Sequence, residues 1–224
     1  MVIALFILMV VILLTAEYFS LTKKISRNPE PAPEHRVPVA TEVIERYFHP
    51  GHSWALVQPF AEEILVGVDD FSQRFIGSIE SIQLPQAGST IRQGEAMVTM
   101  KKGNKSLSQV APISGVIAEV NTRVTATPSI VNDSPLEKGW LLKIVPRELS
   151  VELHNLLHGV AADRWQDGVR SHLIHWFAPK VGLVMQDGGR MIDSVSDQVS
   201  NEEWRMLSEE FFPNCSGIST THNT

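Results

Sequence analysis

A single cysteine in 224 residues, Cys215, rules out an intrachain disulfide and any cysteine-rich metal site. An oxidising compartment is therefore not implied. Positive charge is also in short supply. The 19 Lys and Arg stand against 25 Asp and Glu for a net charge of −6, whereas a nucleic-acid binder needs clustered cations to displace counterions from phosphates. No nucleophile elbow, P-loop or Ser-His-Asp pattern occurs, so an independent enzyme is not expected. What the chain does have is apolar residues. At 43% hydrophobic and 20% charged it can close a core, which a disordered chain of low hydrophobicity cannot.

Residues 1–16, "MVIALFILMVVILLTA", carry no charged side chain, and with residues 17–22 the run is long enough to cross hydrocarbon as a slightly tilted helix. A cleaved signal peptide would place basic residues ahead of the apolar run and small residues at its end. Here Lys23, Lys24 and Arg27 follow it instead. Residues 1–22 are accordingly expected to be a single-pass anchor in an inner (plasma) membrane, with the C-terminal bulk cytoplasmic by the positive-inside rule. Residues 23–45 contain "SRNPEPAPEHRVP", a Pro-rich and charged spacer that stays extended.

Beyond the spacer, short apolar and β-branched runs are broken by Gly, Pro and Gln: "WALVQPFAEEILVGV", "SIESIQLPQAGSTI", "EAMVTM", "SLSQVAPISGVIAEV" and "GWLLKIVP". This spacing predicts a compact all-β unit over about 47–146, a sandwich or barrel, with a helical turn at "DDFSQRFIG". After Pro146 the apolar positions take helical spacing: Leu153, Leu156, Leu157, Val160, Trp165, Val169, Leu173, Trp176 and Phe177. One broken helix or two is expected, weakened at Gly159 and Gly168 and closed by Pro179. "VGLVMQDGGRMID" reads as a hairpin turning at Asp187, Gly188 and Gly189 rather than as a phosphate loop. Ser200 to Glu203 form a capping box ahead of a short amphipathic helix through Trp204, Leu207, Phe211 and Phe212.

Several of these stretches, in order and at matching distances, resemble the H protein of the glycine cleavage system. "YFHPGHSWALV" is similar to the opening strand of that family, with His52 and Trp54 as its His-x-Trp. "VGVDDFSQRFIGSIESIQLPQAGSTIRQGE", "APISGVIAEVN" and "SIVNDSPLEKGWLLKIVP" are similar to the passages that follow. The resemblance implies a mainly β, lipoyl-type barrel-sandwich hybrid (single hybrid motif) with small helices over residues 46–147. It would be preceded by the transmembrane helix and followed by an α-rich extension over 148–212 and a disordered tail over 213–224. Many matching positions are glycines and prolines at turns, which establish a scaffold and say nothing about chemistry.

In the family, one lysine at a hairpin tip is amidated by lipoate. Counting without gaps from Gly94-Glu95 forward or from "PISG" backward places Asn104 on that lysine, and Lys101 on its acidic neighbour. An amide nitrogen is not a nucleophile toward an activated acyl group. Lys105, one position on, is the candidate shifted lipoyl site, although a slip of one residue along a strand points a side chain to the other face. The other reading is that "KKGNK" is a solvated basic tip keeping an exposed hairpin soluble. The expectation is a module with no cofactor, binding protein partners of a membrane complex and no nucleic acid, with a lipoate carrier modified at Lys105 as the alternative. An export-pump adaptor ranks below both, because no heptad-like run interrupts residues 47–146.

Two histidine pairs, His154 with His158 and His172 with His175, have helical spacing that could place two imidazoles on one face. No ligand company accompanies them, so they read as surface or interfacial residues and no metal is expected. Asp69 and Asp70 read as the cap and first turn of a helix rather than as a catalytic carboxylate pair. Trp140, Trp165, Trp176 and Trp204 read as core or docking residues.

Overall fold

The computed structural model describes residues 44–181 and 194–212, the side chains of 178–181 excepted, and helical positions at Met9, Thr15 and Glu17. The expected span at 1–22 otherwise lies outside the described residues, as do most of the 23–45 spacer, the expected hairpin around Asp187 and the tail with Cys215. Among the described residues, no helix is long and apolar enough to cross a membrane. The chain divides into two compact units, Met1–Thr41 and Glu42–Thr224, and every element named below belongs to the second.

Among the described residues there are nine strands: β1 (Glu45–His49), β2 (Ser53–Val57), β3 (Ile64–Val68), β4 (Ser81–Gln83), β5 (Thr90–Ile91), β6 (Ala96–Lys102), β7 (Lys105–Val110), β8 (Gly115–Val120) and β9 (Leu142–Pro146). They form a six-stranded sheet in the order β1-β2-β3-β9-β8-β5 and a three-stranded sheet β4-β6-β7. All the pairings are antiparallel. Val66, Met100, Ile117, Leu142 and Ile144 are completely buried, and each such side chain removed from water contributes about 1.5–3 kcal/mol. Trp54 fits because Gly67 lies opposite it. A Cβ on Gly67 would come within 2.5 Å of Trp54 Cζ2, so glycine is required there by close approach.

Helix α1 (Asp70–Ile76) starts as expected, with the Asp69 carboxylate accepting from the Ser72 backbone N–H and Gly77 ending it at φ +80°. Two further short helices, α2 (Thr122–Ala126) and α3 (Ser129–Asp133), interrupt the β unit between β8 and β9. After β9, α4 (Leu149–Glu152) and a 3₁₀ turn (Leu153–Asn155) lead through a bridge between Phe48 and Leu157 into α5 (Gly159–Val181). The expected break at Gly168 does not occur. Nothing packs within 4 Å of where its Cβ would stand, and the cost of one helical glycine, about 1 kcal/mol, is offset by the docking of Ala162, Leu173 and Phe177. The helix starts at Gly159 and closes just past Pro179.

The last elements are α6 (Val195–Gln198) and α7 (Asn201–Phe211). The capping box at the start of α7 is present in both directions: Ser200 Oγ accepts from the Glu203 N–H, and the Glu203 carboxylate accepts from the Ser200 N–H. Trp204, Leu207, Phe211 and Phe212 are buried and join the barrel core through Phe75, whose ring lies 5.1 Å from both Trp204 and Phe212.

Candidate functional site

The hairpin of β6 and β7 pairs Lys102 with Lys105 and turns through Gly103 and Asn104 alone. A turn this tight needs a primed backbone conformation, and Gly103 supplies the left-handed φ of +57°. Its N–H donates to Glu80 Oε2 at 2.9 Å. Asn104, the residue reached by gapless counting from either side, occupies the second turn position, and its amide donates to Asn201 Oδ1 at 3.1 Å.

Gly103 and Asn104 at the tip are exposed, as the composition suggests, but Lys102 and Lys105 on either side of the turn are half-buried because residues 194–204 lie against them. Lys105 Nζ donates to the backbone carbonyls of Ser196 and Val199, the latter at 2.6 Å, and stands 5.8 Å from the centre of the Trp204 ring. Lys102 Nζ donates to Asp197 Oδ2 at 2.6 Å and Ser194 Oγ at 2.7 Å, leaving its side chain 15% exposed. The hydrogen bond from Lys102, assisted by that from Ser194, holds the Asp197 carboxyl below its ordinary range. Trp204 Nε1 donates to the Ser106 carbonyl at 3.2 Å. Asp197 and Ser194, absent from the candidate residues above, are thus the partners of the tip. The signal for them was the acidic character of the 197–203 stretch opposite "KKGNK".

A second polar cluster pins the C-terminal elements to the opening strands. His52, at φ +64°, places Nδ1 2.7 Å from Asp69 Oδ2, with both side chains 2% exposed. The other oxygen, Asp69 Oδ1, accepts from both the backbone N–H and the hydroxyl of Ser72. The imidazole stacks on Phe71 at 4.4 Å and meets Trp165 and Phe212 at 4.8 Å each. With Ser72 turned to the carboxylate and aromatic rings around the histidine, the arrangement is a structural pin that offers no serine to the imidazole. His49 beside it is also buried and accepts from the Gly51 N–H, and burial, with the neighbouring His52, depresses its pKa.

An open cleft of about 710 Å³ lies against Asp69 and Asp70, lined also by Arg46, Glu137, Asp163 and Arg170. Arg46 lies over the Trp54 ring at 5.2 Å and donates to the Leu136 carbonyl, and Asp70 pairs with Arg74 at 2.7 Å. Among the described residues no group of His, Cys, Asp or Glu is disposed to hold a metal ion. His154 and His158 do not share a helix face, because His154 lies in the 3₁₀ turn and the bridge at Leu157 separates it from His158, which precedes α5. His154 contacts the Ser150 carbonyl at 2.8 Å and His158 contacts Glu45 at 2.6 Å. His172, on α5, pairs with Glu210 of α7 at 2.9 Å.

The model of the family described as "Glycine cleavage H-protein" matches residues 46–166, more than half of the chain. The chain belongs to the glycine cleavage H-protein family. The glycine cleavage system H protein of Thermus thermophilus is 33% identical over 113 residues, covering 50% of this chain and 86% of that protein. That of Geobacillus thermodenitrificans is 37% identical over 106 residues, covering 47% and 81% respectively. A crystal structure of the Mycobacterium marinum glycine cleavage system H protein aligns at 25% identity and a TM-score of 0.46, over 56% of this chain and 98% of that one. The H-protein match reaches beyond the all-β unit, through α4 and the 3₁₀ turn and into α5 as far as residue 166. The cover over the hairpin, residues 194–212, lies outside the match.

Proposed function

We propose that this chain is an H-protein-type module without a lipoyl group at the family position, acting as a binding or assembly subunit of a membrane-associated complex. The observation that carries the reading is the hairpin tip. The position aligned with the modified lysine is Asn104, whose amide cannot be acylated as an amine is, and the neighbouring amine of Lys105 is engaged by the Ser196 and Val199 carbonyls. A non-catalytic role accords with a family of carriers rather than catalysts. Anchoring by residues 1–22, with the domain on the cytoplasmic side, is supported by the uncharged run and by Lys23, Lys24 and Arg27 behind it. The competing reading, a lipoyl carrier modified at Lys105, requires that amine to leave its two carbonyls and turn outward.

The test is peptide mass spectrometry across residues 98–110 of protein taken from its native membrane. No lipoyl adduct on any lysine is expected, and an adduct on Lys105 would overturn the reading in favour of the carrier. The same preparation examines the anchor: the chain should resist carbonate washing, and a mature form beginning near Glu17 would refute membrane anchoring.

A further inference from the structure

Two ammonium groups on one hairpin hold a segment nearly a hundred residues further along the chain. Lys102 takes the side chains of Ser194 and Asp197, whereas Lys105 takes backbone carbonyls at Ser196 and Val199 and a cation-π contact with Trp204. The segment is seated at its own start as well: the Ser194 N–H donates to the Arg74 carbonyl at 2.8 Å, and Ser196 Oγ donates to the Ile76 carbonyl at 2.6 Å. Those bonds fix the entry of α6 at the end of α1. The hairpin lysines contact α6 and the residues just before α7.

We propose that Lys102 and Lys105 form an acylation-sensitive latch, in which a closed 194–212 segment and an acylated hairpin are mutually exclusive states. This goes beyond the binding-module reading and does not depend on the membrane anchor. An ammonium offers three N–H donors and a positive charge, but an N-acyl lysine offers one N–H donor and no charge. Acylated Lys105 therefore cannot serve both carbonyls or keep its cation-π contact, and its acyl group would have to displace the residues that cover it. The donor is an activated acyl group such as an acyl phosphate. The ammonium first loses a proton to water, and the amine attacks the carbonyl carbon. The N–C bond forms, the C–O bond to phosphate breaks with its electron pair leaving on the phosphate, and loss of a second proton leaves a neutral amide. No redox partner is needed. Reciprocity follows at equilibrium: closure disfavours the acylated state by the same free energy by which acylation disfavours closure.

The detergent-solubilised full chain is treated with acetyl phosphate. Acetylation at Lys102, Lys105 and the exposed Lys138 is followed by peptide mass spectrometry, and amide exchange is followed across residues 201–211. Lys105 should acetylate roughly tenfold or more slowly than Lys138 in the unsubstituted chain, because the amine reacts only from the open state, and should approach the Lys138 rate in Trp204→Ala. Molecules acetylated at Lys105 should lose exchange protection over 201–211 and keep it in β8 and β9. In a second arm, Lys105→Gln removes the charge and should release the segment, whereas Lys105→Arg keeps the charge and should hold it. The latch is refuted if Lys105 reacts as fast as Lys138 in the unsubstituted chain, or stays unreactive in Trp204→Ala. It is equally refuted if acetylated molecules retain protection, or if the Gln and Arg variants behave alike.

Discussion

The β unit and the 194–212 segment are built on different physics, though both end in the same apolar core. In the β unit, strands β1 to β9 satisfy their backbone groups in ladders and bury residues such as Val66, Ile117 and Ile144 completely. Such a core is tolerant of detail, since any hydrophobic residue of about the right volume supports it. The segment is addressed to its seat by particular polar groups, Lys102 on Asp197 and Lys105 on two carbonyls, before Trp204, Phe211 and Phe212 add apolar contact. Apolar burial supplies stability, and the charged contacts supply position.

That division can be broken from either side. Truncating the barrel should have the largest effect: Ile144→Ala, at a completely buried position paired with both Ile64 and Ile117, should lower unfolding free energy by roughly 2–5 kcal/mol in urea titration, with the whole β unit affected together. Removing the anchor of the segment should have a smaller and local effect. Trp204→Ala should cost about 3 kcal/mol, the low end for a buried aromatic, appearing as faster amide exchange over residues 201–211 while β8 and β9 stay protected. An equal loss of protection in β8 and β9 would show that segment and barrel unfold as one unit.

Acid should separate the two regions most gently. His49, in the barrel, has a pKa depressed by burial, so its unfolded form binds a proton first, and its contribution is present above 6.5 and lost as pH falls toward the folded value. Asp197, in the segment, is also depressed, so its contribution is present above 3.8 and lost as pH falls through its lower folded value. Unfolding measured from pH 8 down to pH 3 should therefore show barrel stability declining below 6.5, and protection over 195–199, taken relative to the intrinsic exchange rate at each pH, falling below 3.8. A His49→Gln variant should lose the first decline and keep the second.

Much of the barrel was legible because its determinants are local. Short apolar and β-branched runs marked β2, β3, β8 and β9, the acidic pair at 69–70 marked the start of α1, and the Ser200 to Glu203 spacing marked α7 with its capping box. The hairpin was equally legible, since gapless counting reaches Asn104 from both ends and Asn104 lies in the turn between Lys102 and Lys105. The cover over that tip was not. Its bonds run from Lys105 to backbone carbonyls, which every residue carries, and from Lys102 to an aspartate 95 positions away. Composition therefore read "KKGNK" as solvated. The His52–Asp69 pin was hidden for a related reason: each residue was assigned a motif role, and their contact closes across the β2–β3 hairpin.

The cover is part of the same chain as the surface it occupies, joined through the stretch between Val181 and Ser194. A segment of the same chain presents itself to its seat at an effective concentration on the order of millimolar, unaffected by dilution. A molecule seeking the hairpin face from solution competes against that standing occupant, so its measured affinity falls by the fraction of time the face is bare. Expression level then has little influence on whether the face is open. Changes made to the chain itself, at the two lysines or at the residues they hold, govern access to it.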